Sequence, residues 1–278
     1  MLPASPALPS SAPSFKVRSA LLLAAMALVL VLSARQVAGP AGVVLTAGLL
    51  LVGLWLAPHA SAERLMRFFR AVKVDAHSMP ELVAEVRELA RHAKLPATPQ
   101  LYVLHNPGLS ALSVGTAKES AIGISHRVLH RLTRAQAKAI VAHEMAHIVA
   151  GDITILALSQ VIARLVRTLA VVGILFAFVV ALTSDASVSP LALLLVCIAP
   201  LTVTLFQLAL SRSREFDADQ FAARLTGDAP SLASALQHIE TDQQTLWQRM
   251  FWPIGEARLP SWLRTHPRTR DRVSRLLG

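Results

Sequence analysis

Charged residues are scarce in this chain of 278 residues. Asp, Glu, Lys and Arg make up 16% of the sequence, whereas a soluble domain usually carries about 25%. The shortage is local, because no charged residue occurs in the stretches 19–34, 36–62, 168–184 and 186–211. Cysteine occurs once, as Cys197 inside the last of these stretches, so a disulfide-stabilised scaffold is excluded. The uneven composition also excludes a purely soluble enzyme, a disordered chain and a fibrous repeat.

The four uncharged stretches predict four transmembrane helices, two within residues 18–62 and two within residues 168–210. About 20 apolar residues span the hydrocarbon core, and segments 37–57 and 188–210 reach that length. The other two are slightly short, and flanking arginines extend them by reaching back to the interface. Four buried core helices are the alternative, but the rest of the chain is too small to cover them. The first stretch also has the basic start and apolar run of a signal peptide.

The net charge of +10 is arranged around the predicted helices. In the loops on one side of the membrane, the only charged residues are Arg35 and Asp185. The positive-inside rule therefore places both termini and the soluble parts in the cytoplasm. The basic cluster from Arg258 to Arg275 is expected to face the anionic leaflet or solvent, and nucleic acid is not expected as a partner because no recognition motif is present. The basic residues that flank the helices on the other side are Lys16, Arg18, Arg64, Arg67, Arg70, Lys73, Arg164, Arg167, Arg212 and Arg214.

The remaining sequence predicts a tail and one small α+β domain in two parts. The tail, residues 1–17, is rich in Pro, Ser and Ala and is predicted to be disordered. The domain comprises residues 63–167 and 211–278, so the third and fourth transmembrane helices interrupt it. Its predicted elements are a helix with a capping box at Ser78, strands at 100–104, 110–116 and 120–125, a helix with a capping box at Thr133, and helices at 211–225, 231–245 and 267–277.

Residues 143–147 read His-Glu-Met-Ala-His within the helix that begins at Thr133. Histidines four residues apart lie on one face of a helix, so His143 and His147 are positioned to bind one zinc ion. Glu144 lies between them and is suited to act on a bound water as general base. A polar face packed on the membrane surface is the alternative, but the neighbouring residues are apolar. Three ionisable groups in apolar surroundings need a compensating partner, and a cation provides one.

A catalytic zinc needs a third protein ligand, and the sequence Ser-Arg-Ser-Arg-Glu-Phe-Asp-Ala-Asp at residues 211–219 offers Glu215. Asp219 lies one helical turn further on, where it is placed to orient a ligand histidine through the free ring nitrogen. Taken alone, a glutamate and an aspartate four residues apart more often lie on the solvent-exposed face of a helix. Asp217 and Asp152 remain alternatives to Glu215 as the third ligand.

HEMAH, followed by Gly151-Asp152, two apolar segments and SRSREFDAD, resembles the HtpX-type membrane zinc metalloproteases, which are relatives of the prenyl-protein (CAAX) endopeptidases. The resemblance covers about residues 78–277. It implies a mainly α membrane protein with four transmembrane helices and a small α+β, zincin-like cytosolic metalloprotease domain. It further implies one Zn²⁺ per chain on His143, His147 and Glu215, and a place in the bacterial inner membrane. The sequence Thr265-His266-Pro267 resembles the family's C-terminal signature, which makes His266 a candidate for stabilising the oxyanion, with Arg212 or Arg214 as alternatives.

The predicted strand at 110–116 is a candidate substrate-binding strand. A peptide added to its edge gains main-chain hydrogen bonds without a sequence requirement. The segment resembles a strand of the HtpX-type family but has serine where the family has asparagine. An ordinary sheet edge is the alternative. The residues concerned are Ser110, Ala111, Leu112, Ser113, Val114 and Gly115.

These features predict a membrane-bound zinc endopeptidase that hydrolyses protein substrates, chiefly membrane proteins. The short distance from Leu210 to Glu215 favours substrates in or beside the bilayer, and the resemblance implies a role in protein quality control. A CAAX-type processing protease is disfavoured because so few helices build no large enclosed cavity. An inactive metal-binding scaffold would not need the base Glu144, and a transporter would carry ionisable residues inside its helices. Oligomeric state is not predicted.

Overall fold

The computed structural model describes residues 13–56, 61–75, 77–105, 110–183, 189–250 and 269–278. By their contacts the described residues form two compact units. The sheet unit lies within Ala60–Ile153 and Arg212–Gly278, and the long-helix unit lies within Pro13–His59 and Thr154–Ser211. The elements of the described chain are α1 (Pro13–Leu56), α2 (Ala62–Phe68), β1 (Val72–Lys73), α3 (Pro80–His92), β2 (Gln100–Leu104), β3 (Ala111–Gly115), β4 (Ser120–Ser125), α4 (His126–Arg131), α5 (Arg134–Ala150), α6 (Asp152–Thr183), α7 (Pro190–Thr226), α8 (Ala229–Met250) and α9 (Thr269–Leu277).

The long-helix unit contains three helices that are long and apolar enough to cross a membrane, in α1, α6 and α7. Its buried cluster includes Met26, Leu30, Ile162 and Val166. Large apolar side chains such as those of Leu45, Phe176 and Leu194 are exposed instead, as expected of lipid-facing positions. The described residues thus give three membrane-length helices where the sequence predicts four.

The first helix explains this difference, because α1 contains the first uncharged stretch and most of the second. The backbone leaves the helical conformation at Ala38 and Gly39, where φ of Gly39 is +61°, and Pro40 follows. An ideal Cβ added to Gly42 would lie 2.5 Å from the carbonyl oxygen of Ala34. In a straight helix these residues are about 12 Å apart along the axis. The chain therefore reverses at Gly39, which tolerates positive φ.

Three predicted boundaries differ from the structure. Residues 13–17 belong to α1 and are helical rather than disordered. Helix α6 begins at Asp152 instead of near residue 168, so residues 154–167 belong to the long-helix unit. Helix α7 continues past Leu210 to Thr226 without interruption. Charged side chains do not end a helix, and no Gly or Pro marks either position, so the composition change was mistaken for a structural boundary.

The sheet has the strand order β1-β2-β4-β3, with β2 and β4 parallel and the other pairs antiparallel. All three predicted strands form, and the third predicted strand is buried throughout. In the described chain β3 pairs with β4 alone, so its other side is an open edge. One core joins α3, the sheet, α5 and α8, with Leu89, Ile122, Ile140 and Leu232 among its members.

The two predicted capping boxes have opposite outcomes. At α5 the box forms as predicted: the Gln136 N–H donates to Thr133 Oγ1 and the Thr133 N–H donates to Gln136 Oε1. At α3 the prediction is wrong, because Met79 precedes the helix and makes no side-chain cap. Ser78 bonds to Asp75 instead, with its N–H 2.7 Å from Asp75 Oδ1.

Candidate metal centre

Helix α5 presents His143 and His147 one turn apart, with ring centroids 4.9 Å from each other. The helix is deeply buried because its other faces carry small and apolar residues, among them Ala139, Val141 and Met145 at 0% exposure. His143 and Glu144 are consequently buried too. Gly151 ends the helix with φ of +70°, as a left-handed C-cap, and frees the chain to begin α6.

Helix α7 brings Glu215 to the two histidines. The carboxylate oxygens of Glu215 lie 3.5 Å from His143 Nε2 and 4.0 Å from His147 Nε2. One ligand atom from each of the three residues lies within 4.8 Å of the others. Ligand atoms about 2.1 Å from a tetrahedral zinc ion stand roughly 3.4 Å apart. Two imidazoles and a carboxylate at this spacing fit a zinc ion with small side-chain adjustments.

A carboxylate lies behind each imidazole. Asp219 Oδ1 is 3.1 Å from His143 Nδ1, and Asp152 Oδ2 is 2.9 Å from His147 Nδ1. Both Nδ1 atoms are therefore occupied, and both Nε2 atoms are directed to the side of Glu215. This is the usual arrangement around metal-binding histidines. Asp152, considered as an alternative ligand, contacts the far side of His147, and Asp217 is outside the three-residue cluster found in the described chain.

Two buried arginines complete this network. Arg272, in α9, donates to both carboxylate oxygens of Asp219 at 2.6 and 2.7 Å and lies 3.1 Å from Glu215. Arg214 forms a 2.8 Å ion pair with Asp152. Arg214 and Arg212 are the two alternatives to His266 for stabilising the oxyanion. Arg214 is paired with the carboxylate behind His147, and Arg212 is half-buried. The two orienting aspartates are thus each held by an arginine.

The sequence pattern assigns Arg272 to a basic cluster that faces lipid or solvent. The structure corrects this, since Arg272 is 8% exposed. The available signal was helical spacing: Leu276 lies one turn further along α9 and packs on the core of the sheet unit. A residue four positions from a core leucine shares its buried face.

The carboxylates make the site favourable for positive charge. Burial alone would lower the pKa of His143, but hydrogen bonds to Asp219 and Glu215 outweigh it and raise that pKa to about 10. Burial would raise the pKa of Asp219, but Arg272 and His143 hold it below the ordinary value. A site that retains a proton so strongly also favours a bound cation.

Of the remaining predicted site residues, the structure describes those of the candidate substrate strand but not His266. Ala111, Leu112, Ser113, Val114 and Gly115 form β3, which packs beside α5, and Val114 alone among them is buried. The carbonyl oxygen of Ser110 accepts a hydrogen bond from the Ser125 N–H at 2.8 Å. His266 lies outside the described residues.

A buried and a half-buried histidine from a His-Glu-x-x-His helix, with a buried glutamate from a second helix, form the ligand set of a metallopeptidase. The chain matches the model of peptidase family M48 over residues 76–278 and belongs to that family. It is 34% identical to a protein named Protease HtpX homolog from Acaryochloris marina, over 86% of this chain and 85% of the relative. Relatives of the same name from Methylibium petroleiphilum and Paraburkholderia phytofirmans are 32% and 28% identical over 78% and 94% of this chain, and 81% and 95% of their own lengths. The resemblance to HtpX-type proteases is confirmed, and the chain is a membrane metalloprotease.

Proposed function

We propose that this protein is a zinc endopeptidase that cleaves membrane proteins through a centre formed by His143, His147 and Glu215. The observation that carries the proposal is the convergence of these three side chains from two helices within 4.8 Å. The donor set of two imidazole nitrogens and one carboxylate oxygen suits zinc. Asp219 and Asp152 hold the imidazoles with Nε2 toward Glu215, and Arg272 and Arg214 hold the aspartates.

In the proposed peptide hydrolysis, the metal, Glu144 and His266 have separate roles. Zinc, when bound, supplies a Lewis acid that polarises a peptide carbonyl and acidifies water. Glu144 follows His143 directly on α5 and is 9% exposed. Its carboxylate takes a proton from the attacking water and passes that proton to the leaving amine. His266 is proposed to hydrogen-bond the developing oxyanion.

The open edge of β3 is proposed to bind the substrate. Ala111–Gly115 pairs with β4 on one side, and the other side is available to an extended peptide in the described structure. Main-chain pairing there would select for unfolded segments instead of a particular sequence. Such selectivity suits an enzyme that removes damaged membrane proteins, and we propose membrane-protein quality control as its role.

The membrane arrangement is proposed to comprise four spans, with both termini in the cytoplasm of a bacterial inner membrane. The reversal of α1 at Gly39 supports two spans within that helix. The basic residues around the helices support the orientation. We propose the same division into a tail, two pairs of spans and a protease domain between and after them, with residues 13–17 assigned to α1 and residues 152–167 to α6.

Two variants test the catalytic proposal on the purified full-length protein in detergent. Glu144→Gln should retain zinc yet reduce cleavage of an unfolded membrane protein at least a hundredfold, because the general base is gone. Glu215→Ala should lose both zinc and cleavage. Glu88→Gln, which changes a glutamate of α3, is the matched control and should keep both. Zinc content is measured by elemental analysis and cleavage by electrophoresis.

The alternatives have distinct outcomes in the same experiment. An inactive metal-binding scaffold predicts zinc in the wild type without cleavage of any substrate. A CAAX-type processing protease predicts cleavage confined to prenylated C-terminal peptides. Undiminished cleavage by Glu144→Gln would contradict the proposed role of that residue, and unchanged zinc content in Glu215→Ala would contradict the ligand set.

A further inference from the structure

Three histidines outside the metal centre meet at one end of the sheet. His105 directly follows β2, and His126 directly follows β4 as the first residue of α4. The two strands are parallel, and the register pairs Leu104 with Ser125. The next residue of each strand is therefore a histidine at the same carboxyl edge, and His130 lies one helical turn beyond His126.

The imidazoles of His126 and His130 are in direct contact. Their Nε2 atoms are 2.9 Å apart and their ring centroids 4.2 Å apart. The ring of His105 stacks on that of His126, with centroids 6.1 Å apart and an interplanar angle of 17°. All three side chains are exposed, so an ion reaches them from solvent.

The backbone under these histidines is firmly held. Between the two helical histidines, Val128 is 5% exposed and belongs to the core of the sheet unit. The Leu132 N–H donates to the Val128 carbonyl at the end of α4. The start of α4 is fixed by β4, which pairs with strands on both sides. The pair of imidazoles is thus carried on a rigid support, which lowers the cost of ordering ligands around a cation.

We propose that His126 and His130, with His105 as a third ligand, form a second metal site that binds a divalent transition ion such as Zn²⁺, Ni²⁺ or Cu²⁺. Imidazole ligands favour these ions, whereas Mg²⁺ and Ca²⁺ require oxygen ligands. Two nitrogens about 2.1 Å from a tetrahedral ion stand roughly 3.4 Å apart. Modest rotation of the two exposed rings gives that separation from the present one, and the proposed site requires a rotation of His105 that brings a ring nitrogen to the same ion. An ion bound there would connect α4 to the carboxyl end of β2.

The test measures Ni²⁺ binding by equilibrium dialysis to the untagged full-length protein loaded with a single zinc ion per chain, which occupies the centre on α5. The wild type should bind one Ni²⁺ per chain, and His126→Gln and His130→Gln should each weaken binding at least tenfold. His105→Gln should weaken it at least threefold. His77→Gln, at another exposed histidine, is the control and should bind as the wild type does. The substituted side chains are exposed, and circular dichroism checks that each variant folds.

Other results overturn the proposal. Equal Ni²⁺ binding by the wild type and His126→Gln would show that the paired imidazoles bind no metal. Unchanged binding by His105→Gln would refute the three-histidine site. Ni²⁺ binding that disappears with Glu215→Ala and persists with His126→Gln would assign the ion to the metal centre on α5. Because the readout is Ni²⁺ binding, failure here is distinguishable from failure of the proposed peptidase activity.

Discussion

At the level of single residues, the carboxylates behind the two histidines matter as much as the ligands themselves. Asp152 accepts from His147 Nδ1 at 2.9 Å and is itself paired with Arg214. The aspartate thereby fixes which ring nitrogen of His147 carries the proton and which faces Glu215. The ligand geometry therefore depends on a residue that contacts no metal.

Replacement of Asp152 tests that dependence. Asp152→Asn should lower zinc affinity about 10- to 100-fold, because loss of an orienting carboxylate has this effect at other zinc sites. Competition with a chromogenic chelator measures the affinity. Asp75→Asn, at an exposed aspartate that bonds only its local turn, should leave the affinity unchanged. Equal affinities for Asp152→Asn and the wild type would mean that α5 alone orients His147.

Arg272 is predicted to stabilise the folded protein through its buried carboxylate partners. Arg272→Gln leaves Asp219 and Glu215 without their guanidinium partner, and breaking a buried pair from one side costs about 3–5 kcal/mol. Chemical unfolding of the zinc-free protein in detergent measures the loss. Arg270→Gln, at an exposed position of α9, should change the free energy of unfolding little. If Asp219→Asn in the Arg272→Gln background costs as much as it does alone, the two residues are not coupled.

The sequence reveals the local part of the metal centre and misses the distant part. His143, Glu144 and His147 are identifiable because a five-residue helical pattern carries the geometry. Glu215 was one of three carboxylates that the residues allowed, and the family resemblance distinguished it. Arg272 was misplaced, because its contacts to His143 and Asp219 join positions 129 and 53 residues apart in sequence. No local pattern encodes contacts that arise from tertiary packing.

At the level of elements, a capping pattern predicts a helix start only where the capping side chain has no competing partner. Thr133 begins α5 as predicted, since its side chain and that of Gln136 have no stronger local competitor. Ser78 does not cap α3, because its hydroxyl accepts from the Asp75 N–H and donates to the Asp75 carbonyl instead of bonding the first turn of the helix. Helices α6 and α7 extend beyond the uncharged stretches because arginines and glutamates are good helix formers. Composition identifies the segments that face lipid, whereas Gly, Pro and capping residues mark where a helix begins and ends.

The cap of α8 gives a prediction with a pH dependence. The Ser231 side chain and N–H bond Asp228 and lower the pKa of its carboxyl, and the N–H lies 2.9 Å from Asp228 Oδ1. The pKa in the folded state is thus below the unfolded value of about 3.9. The charge therefore adds stability above about pH 4, and this stability is lost as pH falls through the lowered pKa. Asp228→Ala should cost about 1 kcal/mol at neutral pH.

Thermal unfolding in detergent between pH 3 and pH 7 measures this effect. The difference between the wild type and Asp228→Ala should shrink below about pH 4, where the wild-type carboxyl takes up a proton. Asp228→Asn is the matched variant, because asparagine caps helices without a charge. It should retain much of the stability without this pH dependence. A difference between wild type and Asp228→Ala that stays constant across the range would show that the carboxylate charge contributes nothing.

At the scale of the whole molecule, the described chain forms two units that are each discontinuous in sequence. The sheet unit includes α5, which precedes the membrane-length helices α6 and α7, and α8, which follows them. Gln136 Nε2 of α5 donates to Ser234 Oγ of α8 at 2.8 Å. The interrupted domain was predictable, because the pattern that contains Glu215 lies beyond two apolar stretches. The two spans predicted within residues 18–62 already require a reversal between them, but its place at Gly39 was not predictable, since a single glycine before proline in an apolar run does not distinguish a kink from a turn.

That reversal determines how often the chain crosses the membrane, and single-cysteine labelling tests it. We expect Gln36→Cys and Asp185→Cys, each on a Cys197→Ser background, to react with an impermeant maleimide added from the periplasmic side, because four spans put both positions in periplasmic loops. Lys118→Cys, in the loop between β3 and β4, should react only after the membrane is permeabilised. If α1 instead crossed once as a continuous helix, position 36 would lie in the hydrocarbon core and stay unlabelled before and after permeabilisation, since maleimides need an aqueous thiolate. Labelling of position 118 together with protection of position 185 would reverse the proposed orientation and place the peptidase centre in the periplasm.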